Sequence, residues 1–268
     1  MNLIEKYNIR AKKALWQNFL VNEEILNDIS YTINITWENI IEVWPWYWAL
    51  TEKILNQEPN SLHLVELDPK MVKILDDRTD NWEFNIENID FEIHHIDILK
   101  FTPIFKDYSV IANIPYYITS PILRHFLYEL ENIPKNMVIL MQKDVWDKIL
   151  WKWKNKSSVL SLFIEKKCFV SEVLLVGKEN FLPAPKVESS VLLFENHSNY
   201  IETDDNTFLK IIKIWFSEPR KKLIKNLIKW WINKDKILDF YKQEELNENI
   251  RWEDLDIDIW IKLVEYIK

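Results

Sequence analysis

One glycine, Gly177, occurs in a chain of 268 residues. A globular protein of this length ordinarily has roughly 19. Glycine supplies the positive-φ backbone of tight turns, so any such turn here is built from residues with side chains. Cysteine is just as scarce. The single Cys168 excludes an internal disulfide and a cysteine-based metal cluster. Its setting, "KKCFVSEVLL", suits a buried, inert thiol. No run of about 18 apolar residues exists to span a membrane. The opening "MNLIEKYNIRAKKALWQNFL" is charged and lacks the apolar core of a signal peptide, so a cytoplasmic protein is expected. Motifs of the G-x-S-x-G, P-loop and zincin types are missing. His63, His94, His95, His125 and His197 show no ligand spacing with acidic or cysteine partners, and no metal site is expected.

Tryptophan is in excess, with 14 residues. The glycine deficit and the tryptophan surplus are close in size, which points to a single cause. Three of the indoles fall within five residues in "IEVWPWYWALT" (41–51), where an apolar stretch meets the start of a helical pattern. The net charge of −8 argues weakly against a nucleic-acid partner, but distribution decides more than the total. Basic residues cluster at Arg10, Lys12 and Lys13, again between Lys143 and Lys156, and at Arg220, Lys221, Lys222, Lys225 and Lys229. Any one cluster alone reads as a solvated surface.

Between about residues 39 and 195, short apolar runs alternate with helical patterns. "NIIEV" (39–43), "SLHLVEL" (61–67), "DFEIHHI", "YSVIANI" and "NMVILMQ" read as successive strands, with "FVSEVLLV" and "VESSVLLF" as two more. Asp68 followed by Pro69, and Ser120 followed by Pro121, read as helix caps with proline in the first turn. Alternating strands and helices predict an α/β fold with a mainly parallel sheet. After a linker near 196–205 the pattern is wholly helical. The expected division is therefore a domain over 1–196 and a small all-helical domain over 206–268.

In an open parallel sheet, ligands bind beyond the C-terminal ends of the strands, where strand order reverses. Those ends carry Trp44–Trp48, Glu66, Asp97 and Asn113. Glu66 is placed to accept hydrogen bonds from ribose hydroxyls, and Asp68 is assigned to capping. "NIPYY" (113–117) is the sharper signal. Asn113 brings a side-chain carbonyl, Pro115 has no N–H to donate, and Tyr116 has a flat face. Together they suit a planar base with an exocyclic amine.

The residues now quoted, with "AKKALWQNFL" (11–20), "LVELD" (64–68), "IDILKF" (96–101), "MQKDVWDKIL" (141–150), "FLPAPKVESSV" (181–191) and "FSEPRKKLIKNL" (216–227), resemble one family. It is that of the small-subunit ribosomal RNA adenine N6,N6-dimethyltransferases, and the resemblance covers nearly the whole chain. It implies a Rossmann-like class I methyltransferase fold with S-adenosylmethionine as methyl donor. Asn18 and Leu20 would line the cofactor site from the N-terminal segment, with Trp44 and Trp46 at the turn. Glu66 would hold the ribose, Asp97 the adenine amine, and Asn113 the reaction centre. Pro115 and Tyr116 would join Asn113 around the target base. Arg220, Lys221, Lys222 and Lys225 would bind RNA backbone. The implied partner is small-subunit ribosomal RNA in an immature subunit, met by a monomer.

Where this sequence has Trp16, Trp44, Trp46, Trp48 and Trp215, that family has glycine, and the same pattern extends to Trp37, Trp146, Trp151 and Trp153. Decoding accounts for this economically: a UGA codon read as glycine in the source organism has been translated as tryptophan. Trp260 is the best candidate for a genuine tryptophan. Two other readings compete. One is a large-subunit ribosomal RNA adenine methyltransferase of the resistance type. The other is an inactive RNA-binding assembly factor, which applies if the indoles are physically present.

Overall fold

A computed structural model describes residues 7, 18–46, 48–81, 83, 86–115, 118–150, 157–216, 223–229, 233–247 and 249–267. At positions 148, 150, 214, 215, 226 and 229 it describes the backbone alone. The chain divides into two compact units, Met1–Asp144 with Val170–Asn196, and Val145–Phe169 with His197–Lys268.

The first unit is built on strands β1 (Phe19–Leu20), β2 (Asn39–Val43), β3 (Ser61–Glu66), β4 (Asp90–His95), β5 (Ser109–Asn113), β6 (Asn136–Gln142), β7 (Cys168–Val176, from Val170 on), β8 (Phe181–Leu182) and β9 (Ser189–Asn196). Seven of them form one sheet in the order β4-β3-β2-β5-β6-β9-β7. The pairs among β4, β3, β2, β5 and β6 are all parallel, whereas β9 runs antiparallel to β6. The chain first steps outward through β2, β3 and β4. It then returns to place β5 on the other side of β2. The reversal lies between β2 and β5, where Val43 is in register with Ala112.

This is the mainly parallel α/β fold that the alternation of patterns predicts. The central strands are apolar because both faces are covered. Ile40, Ile41 and Val43 of β2 and Val110 to Ala112 of β5 are fully buried, and burial of each large aliphatic side chain is worth roughly 1.5–3 kcal/mol.

Four helices belong to this unit: α1 (Glu23–Ser30), α2 (Ala49–Leu55), α3 (Pro69–Asp80) and α4 (Thr119–Arg124), the last running on as a π turn over His125–Glu129. The Asn22 side chain caps α1 by accepting the N–H groups of Glu24 and Ile25. Asp68 caps α3 through the Lys70 N–H, with Pro69 in the first turn as expected. The expected cap at Ser120 is corrected. Helix α4 begins two residues earlier, with Ile118 in the cap position, so Ser120 lies inside the first turn. Pro121 is tolerated there because the first N–H groups of a helix have no intrahelical partner.

The two-residue strands β1 and β8 pair antiparallel, Phe19 with Leu182 and Leu20 with Phe181. They tie the N-terminal segment to a loop about 160 positions away. Asn22 Nδ2 reinforces the pairing with a 2.8 Å bond to Asn180 Oδ1.

The second unit holds α5 (Lys143–Leu150, from Val145 on), α6 (Val159–Glu165), α7 (Asp205–Phe216), α8 (Leu223–Lys229), α9 (Lys234–Gln243) and α10 (Ile257–Ile267). It is larger than the 206–268 span read from the sequence, because α6 shares its core. Leu162 is buried in one cluster with Phe208, Leu227, Phe240, Trp252 and Trp260. Ser157 N–H donates to Glu253 O at 2.6 Å, and Lys166 pairs with Asp205 at the start of α7. Trp260 is fully buried on α10, a position that uses its whole ring for packing.

Candidate active site

Five residues link β2 to α2, and three of them adopt backbone angles in the left-handed region: Trp44 at φ 57°, Trp46 at φ 54° and Trp48 at φ 83°. For a residue with a Cβ this conformation costs roughly 1–2 kcal/mol, and for glycine nothing. Trp37 is a fourth case at φ 63°. Glu58 and Glu245 are the other positive-φ residues that carry side chains among those described. All four tryptophans stand where the resemblance places glycine. Trp146, also on that set, is helical and has an ordinary φ, so its backbone makes no demand for glycine. Trp16, Trp151 and Trp153 lie outside the described residues, and Trp215 is described by its backbone alone.

The turn is held by short backbone bonds. Trp44 N–H donates to Val65 O at 3.0 Å and Trp48 N–H to Pro45 O at 2.9 Å. Trp48 occupies the cap position of α2 but offers no side-chain acceptor there. The three indoles are turned inward, with exposures of 7 %, 6 % and 0 % at 44, 46 and 48. Trp46 Nε1 donates to the backbone carbonyl of Asn113 at 2.9 Å, and its ring meets Phe19 edge-on at 5.2 Å. That indole thus bridges the ends of β2 and β5, the place where the strand order reverses. Trp48 lies in the core beneath the Arg78 guanidinium, 5.4 Å from its ring, and near Phe91.

Two buried carboxyl groups flank the turn. Glu66, at the end of β3, is 1 % exposed. Its Oε1 accepts the N–H groups of Asp68 at 2.7 Å and Leu67 at 2.8 Å. Its Oε2 is buried with no hydrogen-bond partner in the structure. Burial pushes the Glu66 carboxyl up to about 7, against the pull of the Asp68 and Leu67 N–H groups and a weaker one from the Trp46 N–H. An orphaned carboxylate oxygen at this strand end matches a ligand that brings hydroxyl donors, as a ribose does.

Glu42 is the residue that the sequence reading passed over. It sits inside β2, fully buried, with Oε2 accepting the Thr51 hydroxyl at 2.6 Å and Oε1 making no hydrogen bond. Burial pushes it up to about 8; the Thr51 bond opposes this and nearby Glu66 adds to it. The group therefore holds a proton at neutral pH. A charge inside an otherwise apolar strand was the available signal.

The consequence for stability has a definite sign. A carboxyl whose folded pKa exceeds its unfolded value favours the folded state at low pH. That contribution is lost as pH rises from about 4.5 through about 8. Glu42→Gln keeps the shape and the Thr51 partner but cannot ionise. The variant is expected to exceed the parent in stability at about pH 9 by on the order of 2–4 kcal/mol, and to differ little at about pH 5. Denaturant melts at both pH values check this, and a parallel pH dependence in both proteins refutes it.

The remaining candidates fall as follows. Asp97 is half-buried after β4, and its Oδ1 accepts the Leu99 N–H at 3.1 Å. Asn113 ends β5, and the Pro115 carbonyl accepts the Ile118 N–H at 3.2 Å. Asn18 directly precedes β1, and Leu20 within it is buried. The Phe19–Trp46 contact brings that segment to the turn. Tyr116, Arg220, Lys221 and Lys222 lie outside the described residues; Lys225 is exposed on α8 in the second unit.

The sequence matches the family described as "Ribosomal RNA adenine dimethylase" over residues 8–268. It is 34 % identical to "Ribosomal RNA small subunit methyltransferase A" of Prochlorococcus marinus (strain MIT 9301), with 96 % of each chain covered. It is 32 % identical over the full length of both chains to the protein of the same name from Mycoplasmopsis synoviae (strain 53). A dimethyladenosine transferase from Plasmodium falciparum has the same fold, with a TM-score of 0.77 at 24 % identity over 91 % of this chain and 95 % of that one. The family match over nearly the whole chain, with relatives above 30 % identity along all or nearly all of their length and a mainly parallel sheet of the same fold, marks the chain as a member of the ribosomal RNA adenine dimethylase family, whose methyl donor is S-adenosylmethionine.

Proposed function

We propose that the chain dimethylates N6 of adenines in a loop of small-subunit ribosomal RNA, acting in the cytoplasm as a monomer on the immature subunit. The left-handed backbone at 44, 46 and 48, beside the orphaned Glu66 oxygen, carries this reading. A turn of that shape lets a backbone approach a ligand closely, provided no side chain stands in the way.

With glycine there, Glu66 Oε2 accepts from the ribose hydroxyls and Asp97 from the adenine amine. Leu20 and Asn18 close the site from β1. The cofactor supplies an electrophilic methyl group. Adenine N6 is a weak nucleophile because its lone pair is delocalised into the ring. Asn113 and a backbone carbonyl in the Pro115 region accept its two N–H groups and favour a pyramidal, more nucleophilic nitrogen. Tyr116 stacks on the base and fixes its plane. Alignment of nitrogen and methyl carbon then contributes much of the rate. The target base must be unpaired or flipped to reach such a pocket. Lys225, with Arg220, Lys221 and Lys222, holds the RNA backbone.

The same reading makes the tryptophans at 37, 44, 46 and 48 glycines in the source organism, each encoded by a UGA that it reads as glycine. Four left-handed indoles together cost roughly 4–8 kcal/mol, most of the stability of an ordinary domain. UGA at these codons and UGG at Trp260 is the expected result. If the gene carries UGG at 44 and 46, one second reading is favoured: an RNA-binding assembly factor without transferase activity.

The substrate assignment is tested with the glycine-bearing chain, S-adenosylmethionine and unmethylated ribosomal subunits. Primer extension should stop at modified adenines in small-subunit RNA. A stop in large-subunit RNA alone overturns the assignment.

A further inference from the structure

His63 and His94 are 31 positions apart and have no ligand spacing in the sequence, but strand register brings them together. Strands β3 and β4 pair in parallel with His63 opposite Glu92 and Val65 opposite His94. His63, Glu92 and His94 thus project from one face at the edge of the sheet. His63 Nδ1 and His94 Nε2 face each other at 3.1 Å. One ring nitrogen from each histidine and a Glu92 carboxylate oxygen all lie within 4.8 Å of one another.

We propose that these three residues form a binding site for a divalent late transition-metal ion, with zinc as its simplest occupant, outside the cofactor turn. Two imidazole nitrogens each about 2.0–2.1 Å from a tetrahedral zinc lie about 3.3 Å apart, close to the observed separation. The His63 ring also has the outer partner that a metal-bound histidine uses. His63 Nε2 is buried, makes no hydrogen bond and faces Asp90 Oδ2 at 3.7 Å. Glu92, the third candidate ligand, has its Oε1 3.5 Å from His94 Nδ1. A carboxylate behind a ligating ring fixes the tautomer and raises the basicity of the other nitrogen.

The rings are already immobilised. Phe105 packs on His63 at 4.7 Å between centroids, and Phe101 on His94 at 4.8 Å. Glu92 is exposed at the strand edge and can turn inward, leaving one position for water. Nitrogen and oxygen donors in this proportion suit zinc, nickel or copper rather than magnesium or calcium. Bound there, the ion clamps the edge strand β4 to β3, two residues before the turn that carries Asp97.

The test is a zinc titration of the full untagged chain, metal-free at the start, in competition with a chromophoric chelator. One equivalent should bind. His94→Gln should weaken binding by more than about 100-fold. Asp90→Asn, which removes only the outer partner of His63, should weaken it by roughly 10–100-fold at unchanged stoichiometry. Cys168→Ser should leave it unchanged. Because Asp90 and Glu92 are largely exposed, Asp90→Asn and Glu92→Gln keep the test valid even if a histidine variant misfolds. Absence of stoichiometric binding in the parent, or parental affinity in both carboxylate variants, overturns the site and leaves a histidine pair joined by one hydrogen bond.

Discussion

Replacing Trp44 and Trp46 by glycine is expected to turn a chain with no measurable affinity for S-adenosylmethionine into one that binds it at micromolar concentration. Two indoles, 7 % and 6 % exposed, fill the space at the strand reversal, and Trp46 Nε1 takes the Asn113 carbonyl. A micromolar ligand has about 8 kcal/mol of binding free energy. That is too little to expel two packed rings and then pay for its own ordering. With glycine the volume is open, the Asn113 carbonyl is released, and the left-handed backbone is no longer strained.

Trp48 has a different expected effect, because its ring lies in the core under Arg78. Glycine there relieves roughly 1–2 kcal/mol of strain but opens a cavity that can cost about 3–5 kcal/mol. The triple variant should therefore bind like the double one and melt at a temperature set by how well that cavity closes. Calorimetric titration of the parent and both variants decides the matter. Equal affinity for parent and double variant would show that the indoles do not stand in the cofactor's place.

The second large effect concerns Asn113. In the glycine-bearing chain, Asn113→Ala should lower kcat for methyl transfer by roughly 10²–10³, the range found when one preorganised polar partner of a reacting group is removed. Affinity for S-adenosylmethionine should change much less, since in the proposed site Glu66 and the turn make most of the cofactor contacts. Single-turnover transfer and direct cofactor titration separate the two. A fall in kcat below about threefold would assign Asn113 to the structure of the strand end alone.

Strand identity was legible because the sheet is covered on both faces: "NIIEV" and "NMVILMQ" are apolar runs of strand length, and both form strands over those same residues. The cap at Asp68 was legible because Asx caps and first-turn prolines act locally. The pairing of β1 with β8 was not, since two-residue strands have no periodicity and their partners are about 160 positions apart. The boundary at Val145 was hidden for a similar reason: α6 has an ordinary amphipathic pattern, and nothing local says which core it joins. Glu42 was visible as a charge in an apolar strand, but its meaning required knowing that Glu66 and the turn lie beside it.

By itself the sequence determined the α/β class, the order of the strands along the chain, and the excess of tryptophan over glycine. Each of these rests on composition or on patterns a few residues long. Only the tertiary structure decided that four of those tryptophans require a left-handed backbone, that one indole reaches Asn113, and that His63 meets His94. Backbone angles and register are imposed by the packing of distant segments, and no short-range pattern encodes them.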